Sequence, residues 1–206
     1  MTSTRIPYYE HRNDIKVGDV IAFDGKGNFS NIIKAATFSD ISHVGMVINS
    51  DFELGARRNM LIESTTLSNG FAGVGITVLS KVIDEYDGEV WLYPLKEELD
   101  LNDKANMTNW LFRQKGKPYD TAQAIRAGID LGFGKIDIVK NKEDFNKLFC
   151  SELVSEALER AGVISAVNAS EQTPADVCDM DCFEKRILLK GESDGVREEQ
   201  TPNEEG

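Results

Sequence analysis

The sequence predicts an α+β domain in which an antiparallel sheet packs against helices, and two observations support this prediction. Short strand-like apolar runs fill the first half of the chain, whereas apolar residues in the second half recur at helical spacing. Strands that precede helices in this way are typical of the α+β class. The chain has 206 residues, which suits one domain, and 41% of them are hydrophobic, which is enough for a core.

Five segments of the first half are predicted as strands, with glycine and polar residues between them. The last of the five is rich in aromatic residues and contains a proline, which is expected on an edge strand or at the end of a strand. In order, they are the segment from Lys16 to Phe23, which begins with a turn, then His43 to Ile48, Met60 to Ser64, Gly75 to Leu79 and Val90 to Leu95.

Four segments are predicted as helices, and a further short element is expected between Cys178 and Leu189. The strongest helical pattern is the last of the four, where an apolar stripe precedes Gly162 as a C-terminal stop. The four are Ser30 to about Thr37, Asn102 or Asp103 to about Gln114, Thr121 to about Ile129, and Lys147 to about Ala161.

Three regions are predicted along the chain. Residues 1–15 are mostly polar and form an N-terminal arm, and residues 16–190 form the domain. Residues 191–206 carry six acidic side chains against one arginine and contain no aromatic residue. A segment of that composition has too little apolar surface to fold, so we expect a disordered acidic tail.

Charge and cysteine content exclude several classes of function. The net charge of −12 disfavours binding to nucleic acid or to an anionic membrane surface. The sequence shows neither a secretory signal nor an apolar stretch of about 20 residues. We therefore expect a cytoplasmic protein without stable membrane insertion. Three cysteines, an odd number, argue against a disulfide framework.

Cys150 is the candidate nucleophile, because it is predicted at the N-terminus of a helix. A free thiol has a pKa of about 8.5, so only a few per cent is thiolate at neutral pH. The helix N-terminus and a nearby imidazolium both favour the thiolate, and the imidazolium contributes more. The backbone N–H of Cys150 or its neighbours is expected to supply part of an oxyanion hole. The structural alternative is a small core residue on the helix stripe.

His43 is the candidate base for this thiol. The chain has two histidines, and His11 lies in the polar arm, whereas His43 begins a predicted strand. An imidazole in this role needs a third group to fix its orientation. Glu63 is the best choice, because neighbouring antiparallel strands place it beside His43; Thr65 and Asp19 are weaker alternatives. Taken singly, the histidine and the glutamate also fit structural or surface roles.

No cofactor and no metal are expected. Cys178 and Cys182 have a spacing that two metal ligands can adopt, but no further histidine or cysteine is free to complete a site. Both are therefore interpreted as structural or incidental. The glycines on either side of Lys26 lack the spacing of a phosphate-binding loop.

A series of motifs runs in order along residues 16–185. They are Val17-Gly18-Asp19-Val20-Ile21, Ser42-His43-Val44-Gly45-Met46-Val47, the acid Glu63 after a strand, Gly116-Lys117-Pro118-Tyr119-Asp120, Phe149-Cys150-Ser151-Glu152-Leu153-Val154 and Thr173-Pro174-Ala175-Asp176. This series resembles the circularly permuted branch of the NlpC-type papain-like cysteine hydrolase superfamily, in which the histidine precedes the cysteine. The resemblance implies an antiparallel sheet packed on helices, with the catalytic cysteine on a helix that faces the sheet.

The resemblance also implies cysteine hydrolase or acyl-transfer chemistry on amide or ester bonds. Cys150 matches the nucleophile, His43 the base and Glu63 the third polar residue, while Tyr119 matches a recurrent family position. We therefore predict a thiol hydrolase, a peptidase or amidase, that cleaves a small peptide or amide substrate through an acyl-enzyme intermediate. Two alternatives stay open: a lipid-directed thiol acyltransferase or esterase with the same residues, and a non-catalytic binding module that retains the fold.

Overall fold

Seven strands form one sheet in the computed structural model, which describes residues 4–24, 39–53, 56–66, 72–117, 146–165, 169 and 172–191. The strands are β1 (Thr4–Arg5), β2 (Val20–Asp24), β3 (His43–Glu53), β4 (Ala56–Thr66), β5 (Ala72–Val78), β6 (Glu89–Tyr93) and β7 (Ile187–Lys190). The helices of the described residues are α1 (Tyr8–His11), α2 (Leu79–Glu85), α3 (Leu101–Gln114), α4 (Asn146–Arg160) and α5 (Pro174–Cys178). The predicted α+β class is therefore confirmed.

The strands lie in the order β1-β7-β6-β2-β3-β4-β5. Each neighbouring pair is antiparallel except β1 and β7, which run parallel. The sheet is thus mixed where the sequence predicts an antiparallel one, because the N-terminal residues lie beside the last described strand. Thr4 and Arg5 alone make up β1, and a strand of this length is too short for a sequence pattern to reveal.

Helices cover both faces of the sheet. Successive side chains along each strand point to opposite faces, so alternate residues of a strand pack against different helices. The α4 face, which includes Val44, Met46 and Ile62, packs against α3, α4 and α5. The α2 face, which includes Phe23 and Leu61, packs against α1 and α2. The position of a residue along its strand therefore decides which layer of helices it meets.

The two long helices of the second half begin and end at residues suited to those positions. The carboxylate of Asp100 accepts the N–H groups of Asn102 and Asp103 at the start of α3, so the cap precedes the predicted one. Gly162, with a φ of +68°, follows the end of α4 as the sequence predicts.

Some predicted elements differ from the structure, and others lie outside the described residues. The predicted strand Gly75 to Leu79 ends at Val78, and Leu79 instead begins α2. The helices predicted over Ser30 to Thr37 and over Thr121 to Ile129 lie outside the described residues.

The segment predicted as an N-terminal arm packs on the domain in the structure. Its strand β1 pairs with β7, and Tyr8 and Ile15 are buried on the α2 face. The segment predicted as an acidic tail, residues 191–206, lies outside the described residues except for Gly191, which directly follows β7. Within the described part of the chain, no helix is both long and apolar enough to cross a membrane.

Candidate functional site

His43 and Glu63 meet on neighbouring antiparallel strands, on the α2 face of the sheet. His43 is the first residue of β3, and Glu63 lies in β4 opposite Gly45. Residues two apart on a strand share a face, so the glutamate is the diagonal neighbour of the histidine. Nε2 of His43 and Oε2 of Glu63 are 2.8 Å apart. This contact between carboxylate and imidazole is the first part of the candidate site.

Glycines on both neighbouring strands leave room for the side chain of Glu63. Gly45 of β3 and Gly75 of β5 are its cross-strand partners. A Cβ atom at position 45 would lie 3.1 Å from Cβ of Glu63 and 3.0 Å from Cδ1 of Leu61. These distances are shorter than ordinary van der Waals contact. A larger residue at position 45 would therefore push the glutamate aside.

Cys150 lies in α4 and is fully buried in the core of the α4 face. The helix begins at Asn146, one residue before the predicted Lys147, so Cys150 is its fifth residue and lies in the second turn. Regular helical bonding joins the N–H of Cys150 to the carbonyl of Asn146. The expected role of that N–H in an oxyanion hole is therefore not supported. The helix dipole acts mainly within the first turn, so a partner side chain has to stabilise a thiolate here.

The side chains of His43 and Cys150 are joined by a hydrogen bond. The two residues come from opposite faces of the sheet, because His43 alternates with Val44 and pairs with Phe23, whereas Cys150 packs on the α4 face. His43 is the first residue of β3, so its ring lies at the end of the strand, where side chains from both faces can meet. Glu63 holds Nε2, which leaves Nδ1 of the ring for the thiol.

The electrostatics of this group favour a charged imidazole. Burial on its own lowers the pKa of His43, because it disfavours the charged form. The charge and hydrogen bond of Cys150, together with those of Glu63, outweigh burial and raise this pKa from 6.5 to about 10. The side chain of His43 is 12% exposed and that of Glu63 is 8% exposed, so water screens them little. The arrangement can thus hold a proton on the imidazole at neutral pH.

Three further residues, which the sequence did not indicate, lie beside His43 or beside its neighbours. The ring centre of Phe23 lies 5.4 Å from that of His43, and the ring centre of Tyr86 lies 4.9 Å from that of Phe23. The hydroxyl of Ser42 donates to the carbonyl of Phe23, and its side chain also hydrogen-bonds with Tyr86. Burial is the main reason that the pKa of Tyr86 is raised. No sequence motif marks Tyr86, because it enters the site from the end of α2.

The alternative third residues have other surroundings. Asp19 is buried, and its two carboxylate oxygens accept the backbone N–H groups of Lys16 and Leu95. It is therefore a structural residue of the turn before β2. Thr65 follows Glu63 on the same face of β4, where the glutamate already holds Nε2 of the histidine. Tyr119 lies outside the described residues.

The two remaining cysteines, Cys178 and Cys182, lie in α5 and just after it. Cys178 is buried in α5 and hydrogen-bonds with Tyr93, whereas Cys182 is half-buried, and neither forms a disulfide. Burial, which disfavours a thiolate, raises the pKa of both thiols. Among the described residues, no group of three His, Cys, Asp or Glu side chains is arranged to hold a metal ion.

Comparison with known proteins shows a shared fold. No protein-family model and no curated protein matches the chain. Among solved structures, the chain is similar to the crystal structure of metalloprotein yiiX from Escherichia coli O157:H7, DUF1105, with a TM-score of 0.54 and 19% sequence identity. The match covers 82% of this chain and 94% of that chain. At this identity, the similarity carries neither a site nor an activity from one protein to the other.

Proposed function

We propose that this protein is a thiol hydrolase of amide or peptide-type bonds, built on a permuted papain-like domain. The observation that supports the proposal best is a buried line of hydrogen bonds from the thiol of Cys150 through His43 to the carboxylate of Glu63. A thiol, a base and an orienting acid in contact are the parts that cysteine nucleophilic catalysis requires. The histidine precedes the cysteine in the chain, as in the permuted branch that the sequence resembles.

Each of the three residues has one role in the proposed reaction. His43 takes the proton of Cys150, which leaves a thiolate beside an imidazolium. The thiolate attacks the carbonyl carbon of the amide, and His43 gives its proton to the leaving amine, so that the acyl group remains on Cys150 as a thioester. Water, deprotonated by His43, then hydrolyses the thioester and restores the thiol. Glu63 holds Nε2 of the ring, so that the other nitrogen faces the reacting atoms.

A non-catalytic module is the second candidate, and the complete burial of Cys150 favours it. A buried structural cysteine is inert, whereas a nucleophile has to be reached by its substrate. The hydrolase therefore requires a motion that opens access to the sulfur, and the module does not. The two candidates differ in a measurable property, which is the reactivity of this one thiol.

The deciding experiment is alkylation by iodoacetamide as a function of pH, with each thiol followed by mass spectrometry. Cys178 and Cys182 are controls in the same chain, since one is buried and the other half-buried. We expect Cys150 to react faster than either control at pH 6, because the imidazolium of His43 stabilises its thiolate. Alkylation of Cys150 only above about pH 8, as for an ordinary thiol, or none at all, would favour the non-catalytic module.

A parallel measurement after treatment with EDTA separates thiol chemistry from metal binding. The similar Escherichia coli protein is described as a metalloprotein, and a cysteine, a histidine and a glutamate are all possible metal ligands. The proposed pair of thiolate and imidazolium predicts the same alkylation rate with and without chelator. A rate for Cys150 that rises after chelation would mean that a metal had held the sulfur.

Trapping of the acyl-enzyme then identifies the bond that is cleaved. Peptide amides form one arm of the experiment, and phospholipid vesicles form the other, with Cys150→Ala as the control for both. We expect an acyl adduct on Cys150 from the peptide arm and none on the alanine variant. An adduct formed only in the vesicle arm would assign the lipid-directed acyltransferase instead.

A further inference from the structure

Asp40 and Arg186 form an ion pair beside the start of β3, just before His43. One terminal nitrogen of the guanidinium lies 3.0 Å from Oδ1 of Asp40, and the other lies 3.0 Å from Oδ2. A two-pronged contact of this kind fixes the orientation of the carboxylate as well as its position. Arg186 directly precedes β7, so the pair joins two segments that are far apart in the chain.

Two aromatic residues of β6 hold the guanidinium in place. Its central carbon lies 4.1 Å from the ring centre of Trp91, and one nitrogen lies 3.5 Å from the hydroxyl oxygen of Tyr93. Trp91 is almost fully buried and belongs to the core of the α4 face. A guanidinium that is stacked on an indole and bonded to a carboxylate has little freedom. Arg186 is therefore a fixed anchor for Asp40.

The short segment between Asp40 and His43 is itself held by burial and hydrogen bonds. Ile41 is fully buried in the α4-face core. The N–H of Ser42 donates to the carbonyl of Phe23 at 2.9 Å. Only Ile41 and Ser42 separate Asp40 from His43, so the position of Asp40 limits where the backbone of His43 can lie.

The same anchor also contacts the surroundings of the thiol. Tyr93, which lies against Arg186, hydrogen-bonds with Cys178. Cys178 and Cys150 both belong to the core of the α4 face. Arg186 thus connects the segment that carries the imidazole with the side chains around the sulfur.

We propose that Arg186, acting through Asp40, is a positioning residue that holds the imidazole of His43 against the thiol of Cys150. The inference rests on the proposed function, because only a reactive thiol requires the imidazole at a set distance. The side chain of Arg186 is 33% exposed and that of Asp40 is 46% exposed, and ion pairs this exposed add little to stability. Loss of the pair should therefore change the reactivity of the site far more than the folding.

The first test compares Arg186→Met, which keeps the length of the side chain but removes its charge, with Lys96→Met. Lys96 is a matched control, because it forms an exposed ion pair with Asp181, at 2.6 Å, away from β3. We expect Arg186→Met to slow alkylation of Cys150 at pH 6 about tenfold, since small displacements of reacting groups have large effects on rate. We expect the control to react at the wild-type rate, with similar thermal midpoints for both variants.

A double-mutant cycle tests whether Arg186 acts through Asp40. Asp40→Asn and the double variant with Arg186→Met should each react as slowly as Arg186→Met alone. Losses that multiply in the double variant would show that the two residues act independently, which would overturn the inference. If Arg186→Met fails to fold, Arg186→Lys carries the same measurements, because lysine keeps the charge and loses the two-pronged contact.

The pKa of the His43 imidazole, measured by NMR, distinguishes a positioning role of Arg186 from a purely structural one, because a purely structural role would leave this pKa unchanged. The chain has two histidines, so His11 provides an internal reference signal. We expect the pKa of His43 to fall in Arg186→Met, because a displaced imidazole loses its contacts with Cys150 and Glu63, which raise this pKa; loss of the positive charge of Arg186 alone would raise it instead. An unchanged titration and an unchanged alkylation rate in this folded variant would overturn the positioning role. A wild-type Cys150 that does not react at pH 6 would instead overturn the proposed function, whatever the variant shows.

Discussion

At His43, burial and charge act in opposite directions, and their balance determines what the site can do. Burial of an imidazole ordinarily lowers its pKa and leaves a neutral ring. Here Cys150 and Glu63 both favour the charged form, and together they raise the pKa to about 10. An imidazole that is charged at neutral pH favours the thiolate form of a neighbouring thiol. The proposed nucleophile therefore depends on its partner residue more than on its place in the helix.

Loss of the imidazole should suppress the reactivity of Cys150. We expect His43→Gln to slow its alkylation at pH 6 about a hundredfold, because the thiolate loses its cationic partner. Glu63→Gln keeps a hydrogen-bonding group of the same size but removes the charge, so we expect a smaller loss, about tenfold. The control is His11→Gln, since this histidine lies beside an exposed aspartate in the N-terminal segment. Equal rates in the two histidine variants would contradict the prediction.

The raised pKa of His43 also predicts how stability changes with pH. An unfolded histidine titrates near pH 6.5, whereas His43 in the folded protein keeps its proton up to about pH 10. Its contribution to the free energy of unfolding is therefore complete below about pH 6.5 and is lost as the pH rises through about 10. Urea denaturation of the wild type and of His43→Gln across this range measures the contribution. A difference between the two proteins that grows with pH would contradict the raised pKa.

The residues of the site differ in how far the sequence could predict their contacts. His43 and Glu63 could be paired because they lie on successive strands, and successive antiparallel strands are neighbours. The contact of Cys150 with the imidazole depends on how α4 packs on the sheet, which no local pattern specifies. Asp40 and Arg186 are 146 residues apart in the chain, and each alone has the pattern of a surface charge. Their pairing depends on long-range packing, which neither local pattern specifies.

At the scale of elements, the three strands β3, β4 and β5 make room for a buried acid. Glu63 of β4 lies between Gly45 of β3 and Gly75 of β5. Glycine weakens a strand interior, since it adds no side chain to the packing. Two glycines opposite one glutamate therefore mark a place where the sheet accommodates a polar contact instead of apolar packing.

Gly45→Ala should disturb the site without breaking the sheet. The added methyl group would lie 3.1 Å from Cβ of Glu63, so we expect the carboxylate to move away from His43 and the alkylation of Cys150 to slow. Crowding of this kind costs about 1–3 kcal/mol of stability. Thermal midpoints and alkylation rates at pH 6 measure the two effects.

The matched control for this substitution is Gly162→Ala, which lies after the end of α4. Its added methyl group would meet no atom, but its φ of +68° disfavours alanine, so it costs about 1 kcal/mol through the backbone alone. We expect both variants to melt at lower temperature and only Gly45→Ala to react more slowly. A wild-type alkylation rate in Gly45→Ala would mean that the glycine has no part in positioning Glu63.

Elements with a long periodic pattern were predictable, and short elements were not. The strands β2 and β6 and the helices α3 and α4 occur close to their predicted bounds, because each buries an apolar face. The strands β3 and β4 are each 11 residues long, about twice their predicted length, because they continue into the polar residues that the sequence pattern assigns to the connection between them. The helix α2 was missed, since Leu79 extends the apolar run of β5 and seven residues show too little helical periodicity. The helix α5 could have been predicted from the sequence. Thr173 and Asp176 have the spacing of a capping box, and Pro174 directly follows the cap residue Thr173.

At the scale of the whole molecule, the N-terminal residues complete one edge of the sheet. The strand β1 pairs with β7 and forms the edge of the sheet. The hydroxyl of Tyr9 donates to the carboxylate of Asp84 in the last turn of α2. Tyr8 and Ile15 are buried in the core of the α2 face. These contacts make residues 4–15 part of the domain, although their composition is that of a polar arm.

Two truncations test how the chain divides into ordered and dispensable parts. Removal of residues 1–15 should lower the free energy of unfolding by about 3 kcal/mol or more, because it takes away the buried side chains of Tyr8 and Ile15. Removal of residues 192–206, from the predicted acidic tail, should leave the thermal midpoint within about 2 °C of the full chain. Calorimetry of both proteins measures these changes. A thermal midpoint of the 1–15 deletion equal to that of the full chain would show that the N-terminal segment does not support the fold.

The order of the elements has a consequence for biosynthesis. The strands that carry the proposed base and its acid emerge from the ribosome well before α4, and the residues leading into β7 emerge later still. Cys150 is therefore synthesised after His43 and Glu63 but before Arg186. Under the proposed function, Cys150 meets its imidazole partner only when α4 docks on the sheet, so an unfinished chain would not yet carry the assembled site. In ribosome-stalled chains that end before Arg186, α4 could already pack on the sheet while the imidazole of His43 is not yet held against Cys150.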